Sequence, residues 1–202
     1  MPLALLVSAT LLLIWSGIAP RDRVVWFMET APAMAGAAVM LATYRRFPLS
    51  SVSYVLVWVF ACILIVGGHY TYAEVPIGDW VKDALGQERN HYDRVGHFFQ
   101  GVIPALLARE LLVRTSPLRA GRWLFVACVS VALSISALYE MLEWWFAVVF
   151  GGDQASDFLG SQGDVWDAQN DMLMALIGGA SSYLICGRLQ QRQIDALSST
   201  GC

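Results

Sequence analysis

The chain has 202 residues, 57% of them hydrophobic and 14% charged, where an ordinary soluble domain carries about 25% charged residues. Its formal net charge of −3 offers no basic stripe to hold a phosphate backbone, so no nucleic-acid partner is expected. This composition excludes a disordered chain and an ordinary cytosolic enzyme, and it leaves a polytopic membrane protein in contact with lipid.

About six segments are apolar enough to cross a bilayer, since a helical crossing takes roughly 20 residues. They are residues 3–19, 24–44, 52–68, 95–112, 123–149 and 170–189. The first reads as a retained helix, because no positive n-region precedes it and no small-x-small site follows it. The fourth and sixth are the least apolar and open on polar residues, which places them inside the bundle. Cytoplasmic loops are enriched in Lys and Arg. Arg45 and Arg46, then Arg109, Arg114, Arg119 and Arg122, then Arg188 and Arg192 all fall on one side if there are six spans. The expectation is an all-α bundle, a single integral membrane domain over residues 1–202 with both termini cytoplasmic. The loops 69–94 and 151–166 then lie outside. The cysteines form no CxxC pair, and Cys62, Cys128 and Cys186 read as small apolar helix residues. Gly178-Gly179 sits mid-helix, where small residues let helices approach.

Ionisable groups at membrane depth are expensive and mark candidate sites. In the fourth segment Asp93, His97 and Gln100 share a helical face, with Asp93 placed to orient or charge His97 as base, acid or metal ligand. In the fifth, Glu140 and Glu143 lie on one side of the helix. Paired carboxylates at that depth need a cation, a shared proton or a basic partner. In the sixth, Asp164, Asp167 and Asp171 follow a DxxDxxxD spacing that aligns carboxylates for a hard cation such as Mg²⁺ or Ca²⁺. Negative charge at a helix N-terminus is also favoured without any ligand, and for Asp164 alone that explanation is preferred. Glu29 lies roughly 9 Å into the second segment by helical rise. His69 ends the third, and His91 stands just ahead of Asp93. Lys82, Arg89 and Arg94 bring positive charge to the same layer, with Arg94 and Arg89 as candidates to clamp an anion or to neutralise the acids.

These residues also carry a resemblance. The stretches Gly67-Gly68-His69-Tyr70-Thr71-Tyr72-Ala73 and Arg89-Asn90-His91-Tyr92-Asp93-Arg94-Val95-Gly96-His97-Phe98-Phe99-Gln100-Gly101 resemble the YjdF-type family of bacterial inner-membrane proteins. So do Arg109-Glu110, Tyr139-Glu140-Met141-Leu142-Glu143-Trp144 and the run from Asp157 to Gln169. The resemblance implies a multi-pass protein of the inner membrane and brings no known reaction with it. A looser similarity is to VanZ-like proteins, in which Asp93 with His97, Glu140, and Asp167 with Asn170 would fill matching roles; it hints at the cell envelope. The acidic triplet is also similar to one motif of membrane prenyltransferases, which use two.

Three functions remain open. In the first, a membrane enzyme facing the periplasm holds one divalent ion (Mg, Ca, Mn or Zn) on Asp167, Asp171 and Glu140, with His97 as a further ligand. Glu143 or His97 then serves as base toward a lipid or lipid phosphate. The second is a proton- or cation-coupled transporter. It is disfavoured by the lack of an inverted repeat and by an inner half that reads as Ser130, Ser134, Ser136 and apolar residues. The third is a structural or partner-binding protein whose polar layer locks the helices.

Overall fold

The computed structural model describes residues 3–150 and 159–199. Among them the chain is helical throughout, with no strand. It runs as α1 (Leu3–Ser16), α2 (Arg23–Thr43), α3 (Ser51–Tyr70), a 3₁₀ turn (Tyr72–Glu74), α4 (Pro76–Leu85), α5 (Tyr92–Thr115), α6 (Arg122–Phe150) and α7 (Asp167–Ser199).

By length and composition α2, α3, α6 and α7 are the 4 helices able to cross a membrane. The 14 residues of α1 fall short. At 24 residues α5 is long enough but not apolar enough to count among them, and half of its residues are buried. Large apolar side chains point outward around the bundle, among them Leu11, Phe27, Val39, Leu184 and Ile185, as lipid-facing surfaces do. Trp144 and Trp145 are exposed near the C-terminal end of α6, at the end of the bundle that the sequence reading expects to be the outer one, the opposite end being the expected inner one.

Local sequence sets the helix ends. Asp22 caps α2 by accepting from the Val24 and Val25 N–H groups at 2.7 and 2.9 Å. Trp26 Nε1 donates to Ser16 Oγ at 3.0 Å and ties α1 to α2. Gly86 closes α4 in the left-handed conformation, φ 61°, that a Cβ disfavours. Pro32 in α2 and Pro104 in α5 lie inside their helices, and both line the central cavity.

The tightest crossing is between α5 and α7, and it is a contact of backbone on backbone. A Cβ on Gly101 would strike the Ala175 carbonyl, and one on Gly178 would strike the carbonyl oxygen of Phe98. Gly179 faces the Ala132 methyl group of α6. Toward the inner end, Ala105, Leu124, Cys128 and Ala132 form a dry core between α5 and α6, with Tyr183 of α7 packed on it.

The structure corrects the sequence reading in three places. The segment 69–94 is not simply a loop: it contains α4, which leaves Ile77, Trp80 and Leu85 exposed on one face. Its Lys82 pairs with Asp79 at 2.9 Å within α4 instead of joining the acidic layer. The last span starts at Asp167 and runs on to Ser199, so Asp164 sits in the turn ahead of the helix. The inner half of the bundle is not merely Ser and apolar. There Glu110 is fully buried. It accepts from Ser50 N, Ser50 Oγ and Ser53 Oγ, each at 2.7 Å, and pairs with Arg114 at 3.1 Å. Beside it Arg109 donates to Gln190 at 2.8 Å, and Gln190 donates to the Leu106 carbonyl at 2.9 Å. The sequence reading counted Arg109 and Arg114 as loop charges and ended the last span at residue 189, one short of Gln190. Residues 151–158 of the expected outside loop 151–166 lie outside the described residues.

Candidate functional site

At the expected outer end, α2, α5, α6 and α7 each turn an acid toward one region. Helical spacing on α5 puts Asp93 and His97 one turn apart, and their Oδ1 and Nε2 atoms are 3.4 Å from each other. Asp171, one turn into α7, brings Oδ1 to 3.9 Å from the same His97 nitrogen. The other ring nitrogen, Nδ1, meets Gln100 Oε1 at 2.8 Å and Glu140 Oε1 at 3.5 Å. Asp93, His97 and Asp171 are all buried and can each offer one ligand atom, all within 4.8 Å of one another. Trans oxygens on Ca²⁺ stand about 4.6–5.2 Å apart, so the span suits one cation.

Next to this triad lies a cavity of about 140 Å³. Its polar lining is Glu29, Asp93, His97, Gln100, Tyr139 and Glu143, and apolar walls complete it. Tyr139 Oη donates to Glu29 Oε2 at 3.2 Å, and the His97 and Tyr139 rings meet edge to face. The Tyr72 ring is wedged between Gly67 of α3 and Gly96 of α5, where any Cβ would collide with it. Val25 of α2 packs on Phe146 of α6 near the outer rim. Beyond the 3.5 Å approach of His97 Nδ1, the buried Glu140 Oε1 has no hydrogen-bond partner among the described residues.

The arginines face the opposite side of the triad. Arg94 pairs with Asp171, with Asp167 at 2.7 Å and with Asp164 at 3.0 Å. Arg89 reaches Asp167 at 2.7 Å and Asp93 at 3.4 Å, and it donates to the Ser161 carbonyl at 2.7 Å. Asp167 is thus bracketed by two guanidiniums, and both guanidiniums are engaged by acids. Asn90, fully buried, ties the start of α4 to the turn ahead of α7. Its backbone and the Gln162 side chain exchange hydrogen bonds at 3.0 and 2.9 Å, while its Nδ2 donates to Val75 O at 3.1 Å. Asp164, outside the spans, accepts the Trp166 N–H at 2.9 Å, and that bond holds its carboxyl below the ordinary range.

The structure therefore brings together Asp93, His97, Glu140, Glu143, Asp171 and Glu29, and binds Arg89, Arg94, Asp164 and Asp167 into the adjoining ion-pair network. It does not bring in His69, whose Nδ1 lies 2.8 Å from the Ser16 carbonyl and whose ring stacks on Trp15. Nor does it bring in His91, which is exposed at the start of α5. Sequence reasoning passed over Tyr72, Asn90, Tyr139 and Gln162. The aromatic run 70–72 and the Tyr139-Glu140 pair were the available signals.

A helical bundle with outward apolar faces and a buried acid–histidine cluster at one end defines a class of membrane proteins. The family described as "Predicted membrane protein (DUF2238)" matches residues 1–192, and the chain belongs to it. It is 47% identical over 196 residues to the "Inner membrane protein YjdF" of Escherichia coli (strain K12), covering 96% of this chain and 93% of that one. No solved structure matches.

Proposed function

We propose that this is a six-span protein of the bacterial inner membrane, termini in the cytoplasm, that binds a divalent cation near the periplasmic face and acts on the polar end of a membrane amphiphile. The observation that carries the reading is a charge imbalance. Among the described residues Glu29, Asp93, Glu140, Glu143, Asp164, Asp167 and Asp171 gather with three basic groups, Arg89, Arg94 and His97. Carboxylates gathered in a low-dielectric site require a cation, a shared proton or a basic partner, and a divalent ion is the compensation this reading assigns. Asp93, His97 and Asp171 are the ligands of choice, with Glu140 next to them. Asp167, taken by both arginines, serves to position Arg94. A bound cation would polarise a phosphoryl or carbonyl oxygen or acidify a water. Glu143, across the cavity from His97, is the candidate base, and Tyr139 orients Glu29.

A second reading, a proton- or cation-coupled carrier, is favoured by the inner polar layer on Glu110 and by Ser136, a buried hydroxyl without a partner that stands between the two layers. Against it, Ala105, Leu106 and Ala132 are packed dry along α5 and α6 at that depth.

The deciding experiment is the metal content of protein purified without chelators, beside Asp171→Asn and His97→Ala. Near-stoichiometric divalent metal in the parent that is lost in both folded variants supports the site. A metal-free parent that moves protons in liposomes, with the flux abolished by Glu140→Gln, would replace it with the carrier.

A further inference from the structure

Beside the polar cavity lies an apolar slot of about 310 Å³ between α1, α2, α3 and α5. Pro32, Phe60, Leu64 and Ile103 line both spaces, so the two share a wall. The slot runs from Leu64 to Tyr54 of α3, roughly 15 Å by helical rise. That is half of a hydrocarbon core about 30 Å thick, one leaflet's depth. Small residues, Ala9, Ala33, Gly36, Ala37 and Ala61, open it. Elsewhere in this protein small residues admit a neighbouring helix, as at Gly101 and Gly178. Gly36 differs: a Cβ there would meet nothing within 4 Å. A glycine in mid-helix costs about 1 kcal/mol relative to alanine, and no protein group uses the room it leaves.

We propose that this slot takes a single hydrocarbon chain of a membrane amphiphile, with the polar end of that molecule in the Glu29–His97 cavity. Only the head-group half of the proposal rests on the metal reading above. An empty gap of this size would forfeit the dispersion contacts of its walls, and the surrounding solvent is itself hydrocarbon. A chain entering from lipid gains little hydrophobic free energy, so the tail fixes position and depth while the polar end selects the molecule. The excess of acids repels a bare phosphate, so a phosphate head needs the cation, whereas an alcohol does not.

The test uses the full chain in lipid nanodiscs with two photoreactive probes, a long-chain alkyl alcohol and the matching alkyl monophosphate. Each is made with a diazirine at the chain end or beside the head. Chain-end label is expected on residues 33–40 and 54–61, and head-side label near Tyr72 and Tyr139. Gly36→Phe, and Ala61→Phe from the opposite wall, should each cut chain-end labelling about tenfold or more by overfilling the slot. Gly36→Ala should leave it nearly unchanged. In Asp171→Asn the alcohol should still label and the phosphate should not. Phosphate labelling that ignores both Asp171→Asn and chelation would overturn the metal site and leave the slot standing. Label spread evenly over the outer faces of α1 and α6, or undiminished in both folded Phe variants, overturns the slot whatever the metal does.

Discussion

Adding one methyl group at the α5–α7 crossing should disturb both the fold and the site. In Gly178→Ala the new Cβ is driven into the Phe98 carbonyl oxygen, a backbone atom that cannot rotate away. Relief requires the helices to part by roughly an ångström, and a gap of that order forfeits about a quarter to a half of each contact's dispersion energy. Overpacking of this kind costs about 1–3 kcal/mol, set against a helix-propensity gain of up to about 1 kcal/mol for removing glycine. The net expectation is a loss of about 1–2 kcal/mol. The same parting moves Asp171 away from Asp93 and His97, because the crossing lies between the two helices that carry them. Ligand distances tolerate only about 0.2 Å, so cation affinity should fall more than stability does. The assays are reversible unfolding in mixed micelles and cation titration by tryptophan fluorescence, with Gly36→Ala as the control. At Gly36 the added Cβ meets open space, and the variant should be as stable as the parent or up to about 1 kcal/mol more so. If Gly178→Ala unfolds no more easily than Gly36→Ala and binds cation as the parent does, the backbone crossing does not set the geometry of the site.

Glu110→Ala should be among the most destabilising single changes, by about 3–5 kcal/mol, because it removes the buried acceptor of the Ser50 N–H and of the Ser50 and Ser53 hydroxyls and breaks the pair with Arg114; denaturant unfolding checks it, and metal content should be spared in whatever folds. Asn90→Ala should cost about 1–3 kcal/mol by removing the acceptor of the Tyr92 N–H and the buried amide that bonds the Val75 carbonyl and Asp79, as denaturant unfolding would measure. Asp164 has a folded pKa below its ordinary 3.8, so its contribution is fully present above that value and is lost as pH falls through the lower, folded one. Carboxyl-labelled NMR should therefore show Asp164 unchanged between about pH 5 and pH 8 and protonating only at the acid extreme. His97→Gln should abolish metal retention while leaving the Arg94–Asp167 pair in place, which mass-spectrometric metal analysis and a crystal structure of the variant would check.

Much of the site was legible as residue type and depth. Asp93, His97, Glu140, Glu143 and Asp171 stand out because an ionisable group inside a bilayer needs a reason, and Glu29 follows from counting rise along α2. What spacing did not supply was pairing. The DxxDxxxD run places Asp164, Asp167 and Asp171 near one face as equals, yet of the basic groups Asp164 and Asp167 meet only the guanidiniums while Asp171, paired with Arg94, also reaches toward His97. Asp93 read as the residue that orients His97, and in the fold it is a ligand candidate of equal standing. The Glu110 layer was missed because a charge near a helix end looks the same in sequence whether it lies in a loop or under a neighbour.

By itself the sequence determined the class of protein and the existence of nearly every helix. Lipid leaves the backbone no water to bond, so a long apolar run has helix as its stable outcome within a bundle. It also determined which chemistry is available, since so few charges remain to be explained. The tertiary structure alone decided which acids meet a guanidinium, which meet His97 and which meet both, that Glu110 and Arg109 join a polar network at the other end of the bundle, and that Gly36 opens onto space while Gly178 closes onto a carbonyl. Those outcomes depend on how close two helices come and at what register, and a helix's own sequence fixes its face but not the partner that meets it.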